Sequence, residues 1–207
     1  MNEELLPLFP LKAVLFPDSA LPLHIFEERY KLLINRSIDA KTEFGINLTE
    51  GSTMSAVGCA AFVREIVHRY DDGRMDIVVL GSRRFRIQRY DFTAEPYLVG
   101  SVRFLERKTE TPDRELLAAT LNLYNKLMLV VYNDDERYRI EEGNLKGEFS
   151  YTLAQKSGME LSMRQKLLEI DSENARLEHL RGYLVDVLPK VERVDEIERI
   201  IRSDGYL

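Results

Sequence analysis

Three histidines, His24, His68 and His179, are the side chains of this sequence best suited to bind a metal ion or to move a proton near neutral pH. Metal sites combine such ligands at short, recurring spacings, because one loop or one turn must present two of them together. The three histidines lie on three different predicted elements and lack that spacing. We therefore predict no metal site and no cofactor, and assign the histidines structural or surface roles.

Cys59 is the only cysteine, so no disulfide can form within the chain. A nucleophilic cysteine needs a neighbouring base and a partly exposed, electropositive setting. Cys59 instead lies in the apolar run VGCAAF, where a small buried residue is expected. Because no other set of residues suggests a nucleophile or an acid–base pair, the sequence favours a protein that binds rather than catalyses.

The segment GSRRFRIQRY concentrates basic residues at Arg83, Arg84, Arg86 and Arg89. Strand alternation predicts that Phe85 points inward and that Arg84 and Arg86 point outward. Either the arginines form a solvated face that pairs with acidic residues, or they contact the phosphate backbone of RNA. The net charge of -6 and the isoelectric point near 5.3 disfavour a general nucleic-acid binder. RNA binding is therefore the alternative function.

Helical spacing extends from Glu27 to Ile38, and it predicts an inner face formed by Phe26, Tyr30, Leu33, Ile34 and Ser37. Leu32 falls on the opposite face, beside Glu28, Asn35 and Arg36. An apolar residue in that position is either covered by a neighbouring element or presented to a partner. This helix is therefore the sequence's candidate contact surface.

The elements that must position these residues are of two kinds. Strands are predicted in the first half, with a hairpin whose turn is the Asp-Gly of Asp71–Gly73: 19–26, 43–48, 56–70, 74–90 and 96–106. Helices are predicted in the second half: 112–132, a segment that ends at Gly158, 161–170, 172–188 before Pro189, and 191–202. The first helix is expected to be capped by Thr111.

The change of character near Thr111 predicts two subdomains, a β-barrel over 1–110 and a helical bundle over 111–207. The connection at Lys108–Pro112 is short and contains no glycine or serine, so we expect the bundle to pack on the barrel. Residues 1–110 carry 15 basic and 16 acidic side chains, against 14 and 19 in the remainder. The second half therefore carries most of the negative charge.

Several motifs, in this order, resemble the N-terminal substrate-binding domain of Lon-type ATP-dependent proteases. They are LPLFPLKAVLFPDSALPLHIFEERY, VGCAAFVREIVHRYDDGRMDIVVLGSRRFRI and PYLVGSVRFLE, followed by the helical YTLAQKSGMELSMRQKLLEIDSENARLEHLRGYL. The resemblance covers nearly the whole chain. It implies an α+β fold, with a six-stranded PUA-like β pseudo-barrel followed by a C-terminal helical bundle.

The resemblance also implies a non-catalytic module that binds a polypeptide substrate or a partner protein. It relates the surface around Glu28 and Arg29 to substrate capture, so the candidate contact residues are Glu28, Arg29, Leu32 and Arg36. The 207 residues contain no phosphate-binding Gly-x-x-x-x-Gly-Lys-Ser/Thr loop, and we expect a standalone domain without ATPase or protease activity. The acidic N-terminus MNEELL and the absence of a long apolar run predict a cytoplasmic protein that does not cross a membrane.

Overall fold

The structure is a computed structural model that describes residues 3–92, 94–108, 110–133, 135–145 and 147–203, with the backbone alone for 195–203. By their contacts these residues group into two compact units. One contains the chain up to Arg107 together with Leu161–Glu169, and the other contains Lys108–Glu160 with the chain from Ile170 onwards. The predicted boundary between residues 110 and 111 stays a prediction, and the contact grouping differs from it mainly in one helix.

Seven strands lie in the first unit, and their bounds are β1 Glu4–Leu11, β2 Ala20–Ile25, β3 Phe44–Glu50, β4 Thr53–Met54, β5 Val57–Arg69, β6 Met75–Phe92 and β7 Leu98–Phe104. Five of them form a closed ring in the order β1-β7-β6-β5-β3, because β1 pairs with β7 through its first half and with β3 through its second. The predicted α+β fold with an N-terminal β pseudo-barrel is confirmed. The described part has seven strands rather than six, and β4 is only two residues long.

The proline-rich N-terminal segment fits this ring because its prolines avoid positions of continuous two-sided pairing. Pro7 lies where β1 leaves β7, and Pro22 lies on β2, which pairs with β6 alone. Proline lacks an N–H donor and is tolerated in such edge or transition positions. Gly81 of β6 is needed for a different reason, since a Cβ there would lie 2.2 Å from the carbonyl oxygen of Phe16.

Helix α1 (Glu28–Ala40) follows β2 and packs on the core of the ring. Its buried residues are Tyr30, Leu33, Ile34 and Ser37, as the helical spacing predicts. Phe26 was predicted on the same face, and this is wrong: it precedes the helix and is 59% exposed. The helix starts two residues later, so the 3.6-residue period does not extend back to Phe26.

Helix α2 (Arg114–Val131) belongs to the second unit and begins after Asp113, whose carboxylate accepts a hydrogen bond from the Leu116 N–H. The prediction that Thr111 caps this helix is therefore wrong, because an aspartate nearer the first turn takes that role. Two short 3₁₀ turns (Glu136–Tyr138 and Glu142–Asn144) precede α3 (Phe149–Gln155). Gly158, with φ +75°, follows α3 in the left-handed conformation expected after a helix.

Helix α4 (Leu161–Glu169) groups with the strands rather than with the other helices. Gln165 donates from its side chain to the carbonyl of Val57 at 3.0 Å, and Arg164 lies with its guanidinium 5.0 Å from the ring centre of Phe16. The last turn of α4 accepts a hydrogen bond from Arg84 through the carbonyl of Leu168 at 2.9 Å. This helix therefore completes the unit built by the strands.

Helix α5 (Glu173–Ser203) packs along α2 and α3 in the second unit. It continues through Pro189, whereas the sequence predicted an end before this residue and a separate helix over 191–202. Proline removes the hydrogen bond to the carbonyl of Val185, four residues earlier, and its ring crowds that carbonyl, but Val185 is exposed and the carbonyl can turn towards water. Loss of that one bond does not end a helix of 31 residues.

Candidate functional site

A groove of about 490 Å³ separates the C-terminal half of α1 from β5 in the first unit. One wall is formed by residues 37–42 of α1 and its C-cap, and the other by Phe62–Ile66 of β5. Two large apolar side chains at the groove are open to solvent, Phe62 at 40% and Ile66 at 38% exposure. Such a concave, largely apolar surface is where a folded domain can bury a ligand's apolar groups.

The geometry of β5 explains why the groove is open. Its pairing with β3 ends at Ala61, while the strand runs on to Arg69 with β6 as its only described strand partner. Helix α1 runs beside this side of the strand, and two hydrogen bonds hold it near the hairpin turn. There Arg69 donates to the side-chain oxygen of Asn35 at 3.0 Å, and Lys31 donates to the carbonyl of Asp72 at 2.9 Å.

The charges at the groove are mainly positive. Lys41 and Arg64 line it together with a single carboxylate, Glu65. Within the described ranges, neither Lys41 nor Arg64 has an ion-pair partner. The site therefore offers apolar contacts, an open strand edge and two cations available to a ligand.

The predicted contact residues of α1 lie elsewhere on the same helix. Glu28, Leu32 and Arg36 follow one another at intervals of four residues and form one outward stripe, with Leu32 37% exposed. Glu28 pairs with Lys31 at 2.8 Å, while Arg36 contacts Glu95 and donates to the hydroxyl of Tyr97 at 3.0 Å. The structure thus brings these residues together, about a quarter-turn or more around α1 from the groove.

Arg29, the remaining predicted contact residue, is exposed at the start of α1. Its guanidinium pairs with Glu27 at 2.8 Å and lies 4.5 Å from the ring centre of Tyr30. A second concavity of about 140 Å³ lies here, between α1 and the strands β1 and β2, with the exposed Phe26 on its lining. It is smaller than the groove and has fewer exposed apolar groups.

The arginines of β6 do not form one basic surface. Arg84 was predicted to point outward, and this is wrong, because it is 5% exposed beneath α4. Strand alternation alone could not reveal that a helix covers this face of the strand. Arg83 pairs with Glu43 at 2.8 Å and stacks on Phe104 at 3.4 Å. Arg86 and Arg89 remain exposed. The guanidinium of Arg89 lies 3.7 Å from a carboxylate oxygen of Glu3.

Two of the histidines are closer to an acid than their sequence positions suggest. Asp76 of β6 is the register partner of His24 on β2 and of His68 on β5. Its carboxylate contacts the imidazole of His24 at 2.6 Å and accepts a hydrogen bond from Tyr70 at 2.8 Å. In the part of the chain that the structure describes, no three His, Cys, Asp or Glu side chains are arranged to hold a metal ion.

Cys59 is fully buried in β5, and its thiol donates weakly to the carbonyl of Ala60. Burial raises the pKa of this thiol far above its ordinary value, because the thiolate would lose its hydration. The side chain therefore packs as a small apolar group, as the sequence predicted. The buried thiol is therefore not accessible as a nucleophile.

The groove was missed by sequence reasoning because its parts are far apart in the chain. Ile38 on α1 and Phe62 on β5 belong to segments that each look like ordinary amphipathic structure. One sequence feature could have indicated the groove: the run Phe62–Val67 contains apolar residues although it lies beyond the part of β5 that pairs with β3. Only the pairing register shows that this part has a free side.

A family model described as the substrate-binding domain of ATP-dependent protease La (LON) matches residues 5–186. The chain belongs to the Lon substrate-binding domain family. The groove and the α1 stripe both lie within the matched segment. The predicted family is thereby confirmed.

Full-length Lon proteases are similar over most of this domain. The chain is 24% identical over 212 residues to Lon protease 2 of Syntrophobacter fumaroxidans and 26% identical over 212 residues to Lon protease of Syntrophomonas wolfei. These alignments cover 97% and 95% of the chain but only 27% and 25% of the relatives. The chain thus spans about a quarter of the length of these Lon proteases.

Solved structures of Lon N-terminal domains share the fold. The Lon N-terminal domain protein of Xanthomonas campestris matches with a TM-score of 0.68 and 26% identity, over 87% of this chain and 98% of its own. The N-terminal domain of a Mycobacterium avium complex Lon protease matches with the same TM-score at 20% identity, over 88% and 99%. The Lon-family fold therefore extends through most of both units. No helix in the described part of the chain is both long and apolar enough to cross a bilayer.

Proposed function

We propose that this Lon-family domain binds polypeptide, and that the groove between α1 and β5 is where it does so. One observation carries the proposal: a domain of a substrate-binding family has two exposed apolar side chains, Phe62 and Ile66, in the groove between α1 and β5. Exposed aromatic and branched side chains in a concavity are typical anchors for a partner's apolar groups. Unfolded or partly folded polypeptide supplies such groups.

The domain is proposed to act by binding alone, either to substrates or to a partner protein. Burial of Cys59 supports this, because its thiol is not presented to a cleft. The outward stripe of Glu28, Leu32 and Arg36 is a second candidate surface on the same helix. The groove is favoured over it because the stripe is convex and its charged residues are paired.

RNA binding through β6 has less support. A phosphate-binding strand needs several free cations in a row, whereas Arg84 is buried and Arg83 is held by Glu43. Two dispersed arginines, Arg86 and Arg89, remain exposed on a chain of net charge -6. Polypeptide binding is therefore the function we propose.

Fluorescence anisotropy with a labelled, permanently unfolded polypeptide, such as reduced and carboxymethylated α-lactalbumin, tests the proposal. Phe62→Ser should weaken binding about 5-fold or more, the effect of losing an anchor worth ~1 kcal/mol. Phe92→Ser is the matched control, since Phe92 is a strand residue that is 61% exposed and lies outside the groove. Equal affinities of the two variants, or no binding by the unmodified chain, would overturn the assignment.

A further inference from the structure

We propose that the bound polypeptide adds a strand to the free edge of β5. This inference rests on the proposed function and specifies how the groove recognises its ligand. The ligand would be an extended segment with apolar side chains at alternate positions and at least one carboxylate. Strand addition of this kind takes affinity from main-chain hydrogen bonds and selectivity from the side chains that alternate along the strand.

Part of the main chain of β5 has no described strand beside it on one edge. Beyond Ala61, β5 continues for eight residues with only β6 as a described partner, so the groove side of Phe62–Ile66 has main-chain groups without a strand beside them. Among the described residues, no hydrogen bond joins α1 to the main chain of Phe62–Ile66. Five strand residues span about 16 Å, the length of a short extended segment.

The shape of the groove between α1 and β5 also favours an extended ligand. Helix α1 reaches β5 at the hairpin end, through Asn35 and Lys31, and leaves the gap open along Ile38 to Thr42. The gap is therefore bounded by a strand on one side and a helix on the other. A single extended chain would lie between these two walls. Phe62 pairs with Leu80 and Ile66 with the core residue Ile77, so these two side chains lie on opposite faces of β5, and the alternate apolar side chains of the ligand would meet one of them.

The side chains that line the groove carry more positive than negative charge. Lys41 and Arg64 face the groove with no ion-pair partner among the residues that the structure describes, against one carboxylate, Glu65. A bound segment with an acidic side chain would pair with one of these cations, whereas a basic segment would be repelled. Charge complementarity thus favours an acidic, apolar strand.

A second copy of the chain fits this edge less well. Each copy carries its own α1 beside β5, so two β5 edges could approach only if the two helices occupied the same space. The bulges on β5 near Val63/Glu65 and Ile66/His68 also disturb the flat edge that long edge-to-edge pairing requires. A short, flexible segment can follow such an edge.

The test uses the 207-residue chain and a labelled seven-residue peptide in which valine alternates with threonine and one threonine is replaced by glutamate. Two isomers of this peptide each carry three N-methyl groups, in one isomer on valines only and in the other on the remaining residues only. In an added strand, only alternate N–H groups face the neighbouring strand. We expect one isomer to lose about 10-fold or more in affinity and the other to bind like the parent peptide.

Two further measurements complete the test. Replacing the peptide's glutamate by lysine should weaken binding to the unmodified chain and strengthen binding to Arg64→Glu. Hydrogen exchange should slow at amides within residues 62–66 when the parent peptide is bound, because new main-chain hydrogen bonds protect them.

The outcomes separate the two proposals. If both methylated isomers bind like the parent, side chains alone hold the peptide, so strand addition is wrong and polypeptide binding stands. If neither the peptide nor unfolded α-lactalbumin binds, the proposed function itself is wrong. Protection of residues 62–66 that rises with protein concentration in the absence of peptide would identify a second copy as the occupant, and would also overturn the inference.

Discussion

Leu32 and Leu33 are neighbours on α1 with opposite surroundings, since Leu32 is 37% exposed and Leu33 is 2% exposed. Leu33→Asp would bury a carboxylate in the core of the ring without a partner, at a cost of several kcal/mol. We expect this variant to unfold or to melt far below the unmodified chain. Leu32→Asp should melt within a few degrees of it, because the new carboxylate reaches water. Thermal melts followed by circular dichroism measure both.

The Leu32→Asp variant also tests how far the binding surface extends around α1. Leu32→Asp should weaken binding of unfolded polypeptide less than Phe62→Ser does, because Leu32 lies outside the groove. A large fall in the melting temperature of Leu32→Asp would show that the residue is part of the core. A loss of affinity greater than that of Phe62→Ser would move the site to the outward stripe.

Asp76 gives a pH-dependent prediction at the same scale. Hydrogen bonds from His24 first, and then from Tyr70, lower the pKa of this carboxyl from its ordinary value of 3.8. The stabilising contribution of a group with a lowered pKa is present above the ordinary value and is lost as pH falls through the lowered one. The difference in melting temperature between the unmodified chain and Asp76→Asn should therefore shrink below pH 3.8. A difference that stays constant down to the acid limit would contradict this account.

At the scale of elements, α4 is the helix that completes the first unit. Without it Arg84 loses the carbonyl of Leu168, and the carbonyl of Val57 loses the side chain of Gln165. A fragment of residues 1–110 should therefore be less stable than the same strands in the 207-residue chain, because it lacks these hydrogen bonds and the burial of Leu167 and Leu168 of α4. A synthetic peptide of residues 159–171 should raise the free energy of unfolding of this fragment.

Chemical denaturation read by tyrosine fluorescence, with and without the peptide, provides the measurement. A peptide with Gln165 and Leu168 both replaced by alanine is the control, and it should stabilise the fragment less. A fragment that is as stable as the complete chain and indifferent to the peptide would show that α4 is dispensable for the strands.

The second unit depends on a buried charge cluster between α3 and α5. Arg176 is fully buried, contacts Glu148, and pairs with Glu173 at 2.7 Å. Arg176→Met removes the cation that pairs with the buried carboxylate of Glu173, so it should destabilise the chain by about 3–5 kcal/mol. Arg181→Met on the same helix is the matched control, because its pair with Glu178 is exposed and worth less than about 1 kcal/mol. Urea denaturation of both variants should show this contrast, and equal losses would contradict it.

Across the whole molecule, the sequence predicted the features that depend on local patterns. Strand alternation, the Asp-Gly turn and the spacing of Tyr30, Leu33 and Ile34 are set by residues close in the chain, so the ring and α1 could be anticipated. The burial of Arg84 could not, because a helix 84 residues further along covers it. The helix through Pro189 shows the same limit, since local breaking signals can be outweighed by the length of the helix around them.

The candidate site was predictable only in part, because the groove forms where β5 has no neighbouring strand beyond Ala61 among the described residues, and a local sequence pattern does not show this. The sequence indicated α1 as a contact element, and the groove does lie against that helix. It indicated the outward stripe rather than the flank that faces β5. The open edge beyond Ala61 follows from where β3 stops pairing, which is a property of the assembled sheet.

The central claim is that polypeptide binds in the groove between α1 and β5. Site-specific photocrosslinking tests it most directly, with benzoylphenylalanine placed in turn at the positions of Phe62 in the groove, Leu32 on the outward stripe and Arg86 on the arginine strand. All three residues are exposed, so each replacement is expected to leave the fold intact. With unfolded α-lactalbumin as the ligand, we expect position 62 to give the highest crosslinking yield and position 86 the lowest. A yield at position 32 or 86 that equals or exceeds the yield at position 62 would contradict the claim.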